Sequence, residues 1–139
     1  MELIVVGLDK SDTARRAAVE AVEFATGLSA AVHFVMAVKK GRTVEVVGAG
    51  RDRWTVDSLE VAQAELDNIA AEVGKGVDYT TAVVEGGPAD VLVDEAGRLD
   101  ADLILVGSRR MQGVGRLLGA VANDVAHHAP CSVYIAKTV

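Results

Sequence analysis

Short runs of apolar residues alternate along the chain with longer stretches in which apolar residues recur every three or four positions. The runs are rich in β-branched residues and have no polar face, which is typical of strands buried on both sides. The longer stretches predict amphipathic helices, because this spacing places the apolar residues on one face. The predicted strands are 3–8, 31–38, 77–84, 101–106 and 132–137. The predicted helices are 12–27, 56–73, 88–99 and 119–128.

Strand and helix alternate strictly in this prediction, which is typical of a parallel sheet with helices on both faces and right-handed crossovers. We therefore predict one α/β domain over residues 1–139, built as a three-layer sandwich. Ser11 or Asp12 is expected to cap the first helix, and Pro88 stands at the first position of the third. Residues 39–54 mix glycine with charge and predict a surface excursion, with a brief extended piece at 44–47.

Composition narrows the classes of function. Hydrophobic residues make up 50% of the chain and charged residues 24%, as in an ordinary globular domain. The net charge of −6 argues against nucleic acid as the main partner. Cys131 is the single cysteine, which suits a reducing compartment. The first residues predict a strand and not a signal peptide, and no run approaches the roughly 20 apolar residues of a membrane span. We expect a cytoplasmic protein without membrane contact.

The loops after the first, second and fourth strands are the candidate binding region, because open parallel sheets bind ligands beyond the carboxyl ends of their strands. Asp9 follows the first strand directly. Its carboxylate can meet a ribose hydroxyl, a metal ion or an adenine amine. It can equally bond the backbone of its own turn and help Ser11 begin the helix. Position alone favours neither interpretation.

The segment GSRRMQGVGRLLGA, residues 107–120, follows the fourth strand with four glycines, three arginines and no acid. It runs into a helix N-terminus, where free N–H groups and the helix dipole favour an anion. Its glycines allow successive N–H groups to point into one concavity, and its arginines can make paired bonds to phosphate oxygens. The alternative is a surface turn in which the glycines only allow the backbone to bend and the arginines are solvated. The position of the segment favours an anion site.

The remaining polar residues predict neither catalysis nor metal binding. His33 lies in a strand without Cys or carboxylate at metal-ligand spacing, and His127 and His128 stand at a helix C-terminus, where they interact with the dipole. The sequence has no GxSxG elbow, no Walker pattern and no recognisable nucleophile beside a base. We predict no catalytic residue, no metal ligand and at most weak ATP hydrolysis.

Three segments in combination resemble the universal stress protein family: IVVGLDKSDTARRA, VVEGGPADVLVDEAGRLDADLILVGSRR and LLGAVANDVAHHAPCSVYIAK. The resemblance covers nearly the whole chain. It implies a five-stranded parallel sheet with strand order 3-2-1-4-5, of the adenine-nucleotide α-hydrolase-like type. It also implies a homodimer joined through the last strand, from Ser132 to Lys137. We predict a stress or metabolic sensor, with a client protein that the sequence does not identify.

The nucleotide-binding branch of that family holds ATP or AMP, with the adenine near the ends of the first two strands. Its phosphates lie on a loop of pattern G-x2-G-x9-G-(S/T). The resemblance therefore implies a site formed by Leu8, Asp9, Ala37, Val38, Val106, Gly107, Arg109, Arg110, Gly113, Gly115, Gly119, Ala120 and Val121.

The chain departs from that loop pattern between its two ends. Gly107 and Gly119 match the first and last glycines, but Arg110 stands at the second and Ala120 at the Ser/Thr position, and the spacer is one residue short. Arg110 cannot adopt a glycine-only backbone at low cost, and Ala120 lacks a hydroxyl for a phosphate.

Positive charge near this loop can replace those contacts for a smaller anion. Arg109 and Arg110 belong to the loop, and Lys10 stands in the first turn where the family usually has glycine. We therefore predict AMP, or another adenine nucleotide with few phosphates, in preference to ATP; the sequence does not decide whether magnesium accompanies it. The alternative is a nucleotide-free dimeric interaction module of the branch that does not bind ATP.

Overall fold

The computed structural model describes residues 1–39, 43–47, 53–108 and 119–138. In chain order the elements are β1 (Leu3–Gly7), α1 (Asp12–Leu28), β2 (Ala31–Val38), β3 (Thr43–Val47), β4 (Arg53–Asp57), α2 (Ser58–Val73), β5 (Tyr79–Glu85), α3 (Pro88–Arg98), β6 (Leu103–Gly107), α4 (Ala120–His128) and β7 (Ser132–Ala136). No helix in these ranges is both long enough and apolar enough to cross a membrane.

Five parallel strands form the main sheet in the order β5-β2-β1-β6-β7. Counted among themselves, these strands have the order 3-2-1-4-5, so the predicted fold is confirmed. β1 lies at the centre, where Ile4 is in register with Val32 on one side and with Leu103 on the other. The chain first builds the sheet outwards from β1 to β5 and then returns to build the other half, so the strand order reverses between β1 and β6.

Helices cover both faces of this sheet and bury one core on each. α1 and α2 pack against a face that includes Ile4 and Phe34. α3 and α4 pack against the opposite face, which includes Val5 and Ile104. Because consecutive residues of a strand point to opposite faces, β1 must be apolar throughout, and this explains its uninterrupted apolar run. The residues that α1 buries are Ala17, Ala18, Ala21 and Ala25.

The two ends of α1 differ in how well the sequence predicted them. Ser11 is the N-cap, and its Oγ accepts a hydrogen bond from the Ala14 N–H at 3.2 Å, as expected. The predicted end at Gly27 is wrong, because the helix continues through Leu28. The left-handed residue that ends it is Ser29, with φ 55°, and its N–H donates to the Ala25 carbonyl.

An antiparallel hairpin occupies the segment predicted as an excursion. β3 pairs with β4 from Thr43 opposite Asp57 to Val47 opposite Arg53. The prediction of a helix that begins at Val56 is therefore wrong, since α2 begins at Ser58. Val56 fits the helical spacing of the residues that follow, but pairing with β3 decides its conformation.

Candidate functional site

A cavity of about 400 Å³ opens at the carboxyl edge of the sheet. It lies among the ends of β1, β2 and β6 and the N-termini of α1, α3 and α4. This is the point at which the strand order reverses, where parallel α/β sheets bind ligands. The volume is also typical of a small-molecule site, for which about 300–1,000 Å³ is usual.

The turn between β1 and α1 forms one wall of the cavity. Asp9 Oδ1 accepts a hydrogen bond from the Ser11 N–H at 2.7 Å, so this carboxylate does order its own turn. Ser11 Oγ in turn lies 3.2 Å from Thr13 Oγ1. Asp9 is nevertheless exposed and lines the cavity, and its Oδ2 has no hydrogen bond to any described residue. One oxygen holds the turn and the other can accept from a ligand, so the two interpretations of Asp9 are compatible.

The end of β6 packs tightly against the chain after β7. A Cβ at Gly107 would lie 3.0 Å from Thr138 Oγ1 and 3.5 Å from the Thr13 carbonyl oxygen. Thr138 is fixed there, because its N–H donates to the buried Ser108 Oγ at 3.0 Å and its carbonyl accepts from Arg16 Nη1 at 3.2 Å. A side chain at position 107 would therefore have to displace Thr138.

The N-terminus of α4 faces the cavity from the other side. Its N-cap, Gly119, has no side chain that could accept from the first turn. Backbone bonding begins with the Asn123 N–H, which donates to the Gly119 carbonyl at 3.0 Å. Ala120, Val121 and Ala122 line the cavity, and their N–H groups are the donors that a helix leaves unsatisfied at its start. With the helix dipole, they favour a bound anion.

Most of the predicted site residues in the described ranges meet at this cavity. Those that line it are Leu8, Asp9, Ala37, Val106, Gly107, Gly119, Ala120 and Val121. Val38 does not line it and packs instead against the core under α1 and α2. Four predicted residues lie outside the described ranges: Arg109, Arg110, Gly113 and Gly115.

The sequence placed the loop from Leu8 to Thr13 in the candidate binding region, but the site residues it named did not include α3 or the first turns of α1. The additional lining residues are Gly7, Ser11, Thr13, Ala14, Ala17, Val35, Pro88, Val91, Leu92 and Ala122. A signal for α3 was present: Pro88 marks a helix that begins shortly after a strand, and such a helix begins at the ligand-binding edge. The predicted binding region consists of the loops after three of the strands and does not include the loop after β5.

The polar side chains among the described lining residues are Asp9, Ser11 and Thr13, so most of the described wall is apolar. Lys10 lies beside this wall, but its Nζ is 2.9 Å from Glu65 Oε1 on α2. The described residues contain no group of three or more His, Cys, Asp or Glu side chains that could hold a metal ion. They fit a ligand with a flat apolar part, hydrogen-bond donors near Asp9 and an anionic group at α4.

A parallel five-stranded sheet in this order, with its cavity at the reversal point, defines an α/β protein of the adenine-nucleotide α-hydrolase-like type. The chain belongs to the universal stress protein family, whose family model matches residues 1–137. It is 33% identical to a universal stress protein of Methanocaldococcus jannaschii, over 96% of this chain and 81% of that protein.

Two similar solved structures contain nucleotides. A universal stress protein in complex with cAMP is 28% identical with a TM-score of 0.73, and the match covers 99% of this chain and 98% of that one. The universal stress protein from Archaeoglobus fulgidus in complex with dAMP is 27% identical with a TM-score of 0.69, and the match covers 97% of each chain.

Proposed function

We propose that this protein is a stress or metabolic sensor that binds an adenine nucleotide with a single phosphate in the cavity at the carboxyl edge of its sheet. The observation that carries the proposal is the placement of two complementary groups on opposite walls. The Asp9 carboxylate accepts hydrogen bonds on one wall, and the N–H groups that begin α4 donate on the other. Apolar residues such as Ala37 and Leu92 lie between them and suit the faces of a purine.

The chain's own groups have distinct roles in this proposal. Asp9 Oδ2 accepts from a ribose hydroxyl or from the adenine amine, while Oδ1 keeps the turn in place. The free N–H groups of α4 bind phosphate oxygens, helped by the helix dipole, which contributes about 0.3–1 kcal/mol at such a position. Because Gly119 and Ala120 have no hydroxyl to offer, this helix start satisfies one phosphate group better than three.

The related structures support a nucleotide of this size. Both cAMP and dAMP, the ligands of the two similar proteins, carry one phosphate on an adenine nucleoside. The same preference was expected from the loop sequence, in which Arg110 replaces a glycine of the ATP pattern.

Two measurements test the proposal. Mass spectrometry of the purified protein is expected to find retained adenine nucleotide, and calorimetric titration is expected to give at least about tenfold tighter binding of AMP or cAMP than of ATP, or about 1.4 kcal/mol. A protein that retains no nucleotide and gives no heat with any of them contradicts the proposal. That outcome favours a nucleotide-free interaction module.

A pair of neighbouring substitutions locates the binding. Ala37→Leu fills the cavity with a branched side chain and is expected to abolish nucleotide binding. Val38→Leu is the matched control, because Val38 is adjacent in β2 but packs on the other face of the sheet. Unchanged nucleotide binding in a folded Ala37→Leu protein would show that the nucleotide does not occupy this cavity.

The proposal includes a cytoplasmic location, which cell fractionation tests. It also includes a homodimer formed through β7. The position of β7 supports the homodimer, because β7 is an edge strand of the sheet. Its Tyr134 is 37% exposed although its ring packs on Phe24 and its hydroxyl donates to Glu20. In this proposal a client protein binds to the homodimer.

A further inference from the structure

A second polar cluster lies beneath α3, apart from the residues that line the cavity. His33 of β2 and Thr80 of β5 are in register on neighbouring strands, and Glu95 of α3 reaches the same imidazole. His33 is 4% exposed and Glu95 is 7% exposed, whereas Thr80 is open to solvent on the edge strand. The cluster therefore connects a buried acid and base to an accessible hydroxyl.

Both ring nitrogens of His33 are engaged, which fixes the direction of the hydrogen bonds. Nε2 lies 2.8 Å from Glu95 Oε2, and Nδ1 lies 2.6 Å from Thr80 Oγ1. An ionised carboxylate can only accept, so Nε2 must carry a hydrogen and donate to Glu95. In the neutral ring Nδ1 is then an acceptor, and the Thr80 hydroxyl donates to it. This is the arrangement that prepares a hydroxyl to lose its proton to a base.

Arg98 holds Glu95 in the ionised form that this arrangement needs. Its Nε and Nη2 donate to the two carboxylate oxygens at 2.8 and 2.9 Å. These bonds lower the pKa of Glu95 and outweigh the opposite effect of burial, and the bond from His33 lowers it further. Glu95 therefore orients the imidazole and can stabilise an imidazolium when one forms.

The open edge of β5 offers a backbone donor beside the hydroxyl. The Val32 N–H donates to the Asp78 carbonyl and the Gly86 N–H to the Val38 carbonyl, so the even residues of this segment turn their backbone groups towards β2. In a parallel ladder the odd residues then point away. The Thr81 N–H is therefore directed to the edge of the sheet, where no described strand pairs with β5. A donor in that place can bind the carbonyl oxygen of an acyl group next to Thr80.

We propose that Thr80 is a nucleophilic hydroxyl that accepts an acyl group from an activated carboxylic ester, with His33 as its general base and Glu95 as a positioning residue. Thr80 Oγ1 bonds to the acyl carbon while its proton passes to His33 Nδ1. The bond between the acyl carbon and the alcohol oxygen of the ester then breaks, and that oxygen leaves with its electron pair. Solvent takes the proton from His33, and the product is an ester on Thr80.

The acylation of p-nitrophenyl acetate onto the full chain tests this proposal, with peptide mass spectrometry to locate each acetyl group. Thr81 is an internal reference, because it is the next residue and its hydroxyl donates to Asp67 Oδ1 at 3.0 Å and not to an imidazole. General-base assistance is worth about 10²–10⁴-fold, so Thr80 is expected to acetylate at least about 100-fold faster than Thr81. Equal rates at the two threonines would overturn the proposal, whatever the background at lysines.

Variants distinguish a loss of Thr80 hydroxyl activation from a loss of folding. Thr80→Ser keeps the hydroxyl and is expected to acetylate at this position, whereas Thr80→Val and His33→Gln are expected to lose it. Glu95→Gln is informative because an amide can donate to Nε2, which moves the ring hydrogen to Nδ1 and leaves no base for Thr80. Loss of acetylation in a Glu95→Gln protein that remains folded by circular dichroism supports the positioning role. Acetylation at the original rate in that folded variant, or in folded His33→Gln, contradicts the proposal.

Discussion

A Cβ at Gly107 would press against the side chain of Thr138, and the backbone of Thr138 is held in place by hydrogen bonds. We expect Gly107→Ala to lower the free energy of unfolding by about 1–3 kcal/mol, the usual cost of overpacking. Gly27→Ala is the control: a Cβ there meets nothing within 4 Å, and alanine in a helix stabilises by about 0.5–1 kcal/mol. Urea denaturation measures the free energy of unfolding of both variants, which we expect to fall in Gly107→Ala and to rise in Gly27→Ala.

The double variant Gly107→Ala with Thr138→Ala shows whether that contact is the cause. Removing Thr138 Oγ1 and Cγ2 removes the atoms nearest to the new Cβ, at 3.0 and 3.1 Å. We therefore expect Gly107→Ala to cost less in the Thr138→Ala background than in the wild type. Strictly additive effects would assign the loss of stability to another part of the loop.

Single residues differ in how far the sequence could predict them. The turn that Asp9 and Ser11 form was predictable, because its atoms come from residues two or three positions apart. His33 could not be assigned a partner, since Glu95 is 62 positions away and only the packing of α3 on β2 brings them together. The nearest sequence neighbours of a histidine thus gave no information about the group that determines its chemistry.

Elements were predictable where burial alone determines them. β2 has the predicted bounds, because a strand buried on both faces needs an unbroken apolar run. β4 was missed, because its conformation depends on pairing with β3 and not on its own pattern. The end of α1 was misplaced by one residue, at Gly27 and not at Leu28, for a related reason: glycine is only one of the residues that can adopt a left-handed conformation, and here Ser29 does so.

Among the helices and strands, α3 is expected to make the clearest pH-dependent contribution to the free energy of unfolding. Arg98 and His33 lower the pKa of Glu95 in the folded protein from an ordinary value of 4.5. A carboxyl group whose pKa is lower in the folded state stabilises the protein at pH values above its unfolded-state pKa. That stability is lost as the pH falls through the folded-state pKa. We therefore expect Glu95→Gln to cost about 1–3 kcal/mol at pH 7, typical of a broken buried hydrogen bond. The difference from the wild type should shrink as the pH falls below 4.5.

Urea denaturation of both proteins between neutral and acid pH measures this difference. Asp94→Asn is the control, because it removes one carboxylate from an exposed position of the same helix. Its effect should stay within about 0.5 kcal/mol at every pH. A gap between wild type and Glu95→Gln that widens on acidification would contradict the assigned direction.

The topology of the whole molecule was predictable because the alternation of strands and helices leaves few arrangements for a parallel sheet. The same reasoning predicted the edge at which the cavity lies. Pro88 indicated that α3 begins at this edge, but the sequence could not predict that Leu92 also lines the cavity, because its contribution depends on how closely the helix packs on the sheet. Family resemblance supplied the candidate residues, of which Leu8, Asp9 and Ala37 are examples that line the cavity, and packing added the residues of α3.

The proposed assembly through β7 makes a prediction about the whole molecule. The Ser108 N–H donates to the Ala136 carbonyl, so the even residues of β7 face β6, and the N–H of Val133 points to the open edge. Val133→Pro removes an outward donor without removing a bond within the sheet, and we expect it to convert a dimer into a monomer. Val83→Pro is the matched control, because Val83 has the same outward direction on β5 and is likewise a half-buried valine packed against a core. Light scattering after gel filtration measures the mass of each variant. A dimeric Val133→Pro protein, or equal dissociation of both folded variants, would exclude β7 as the interface.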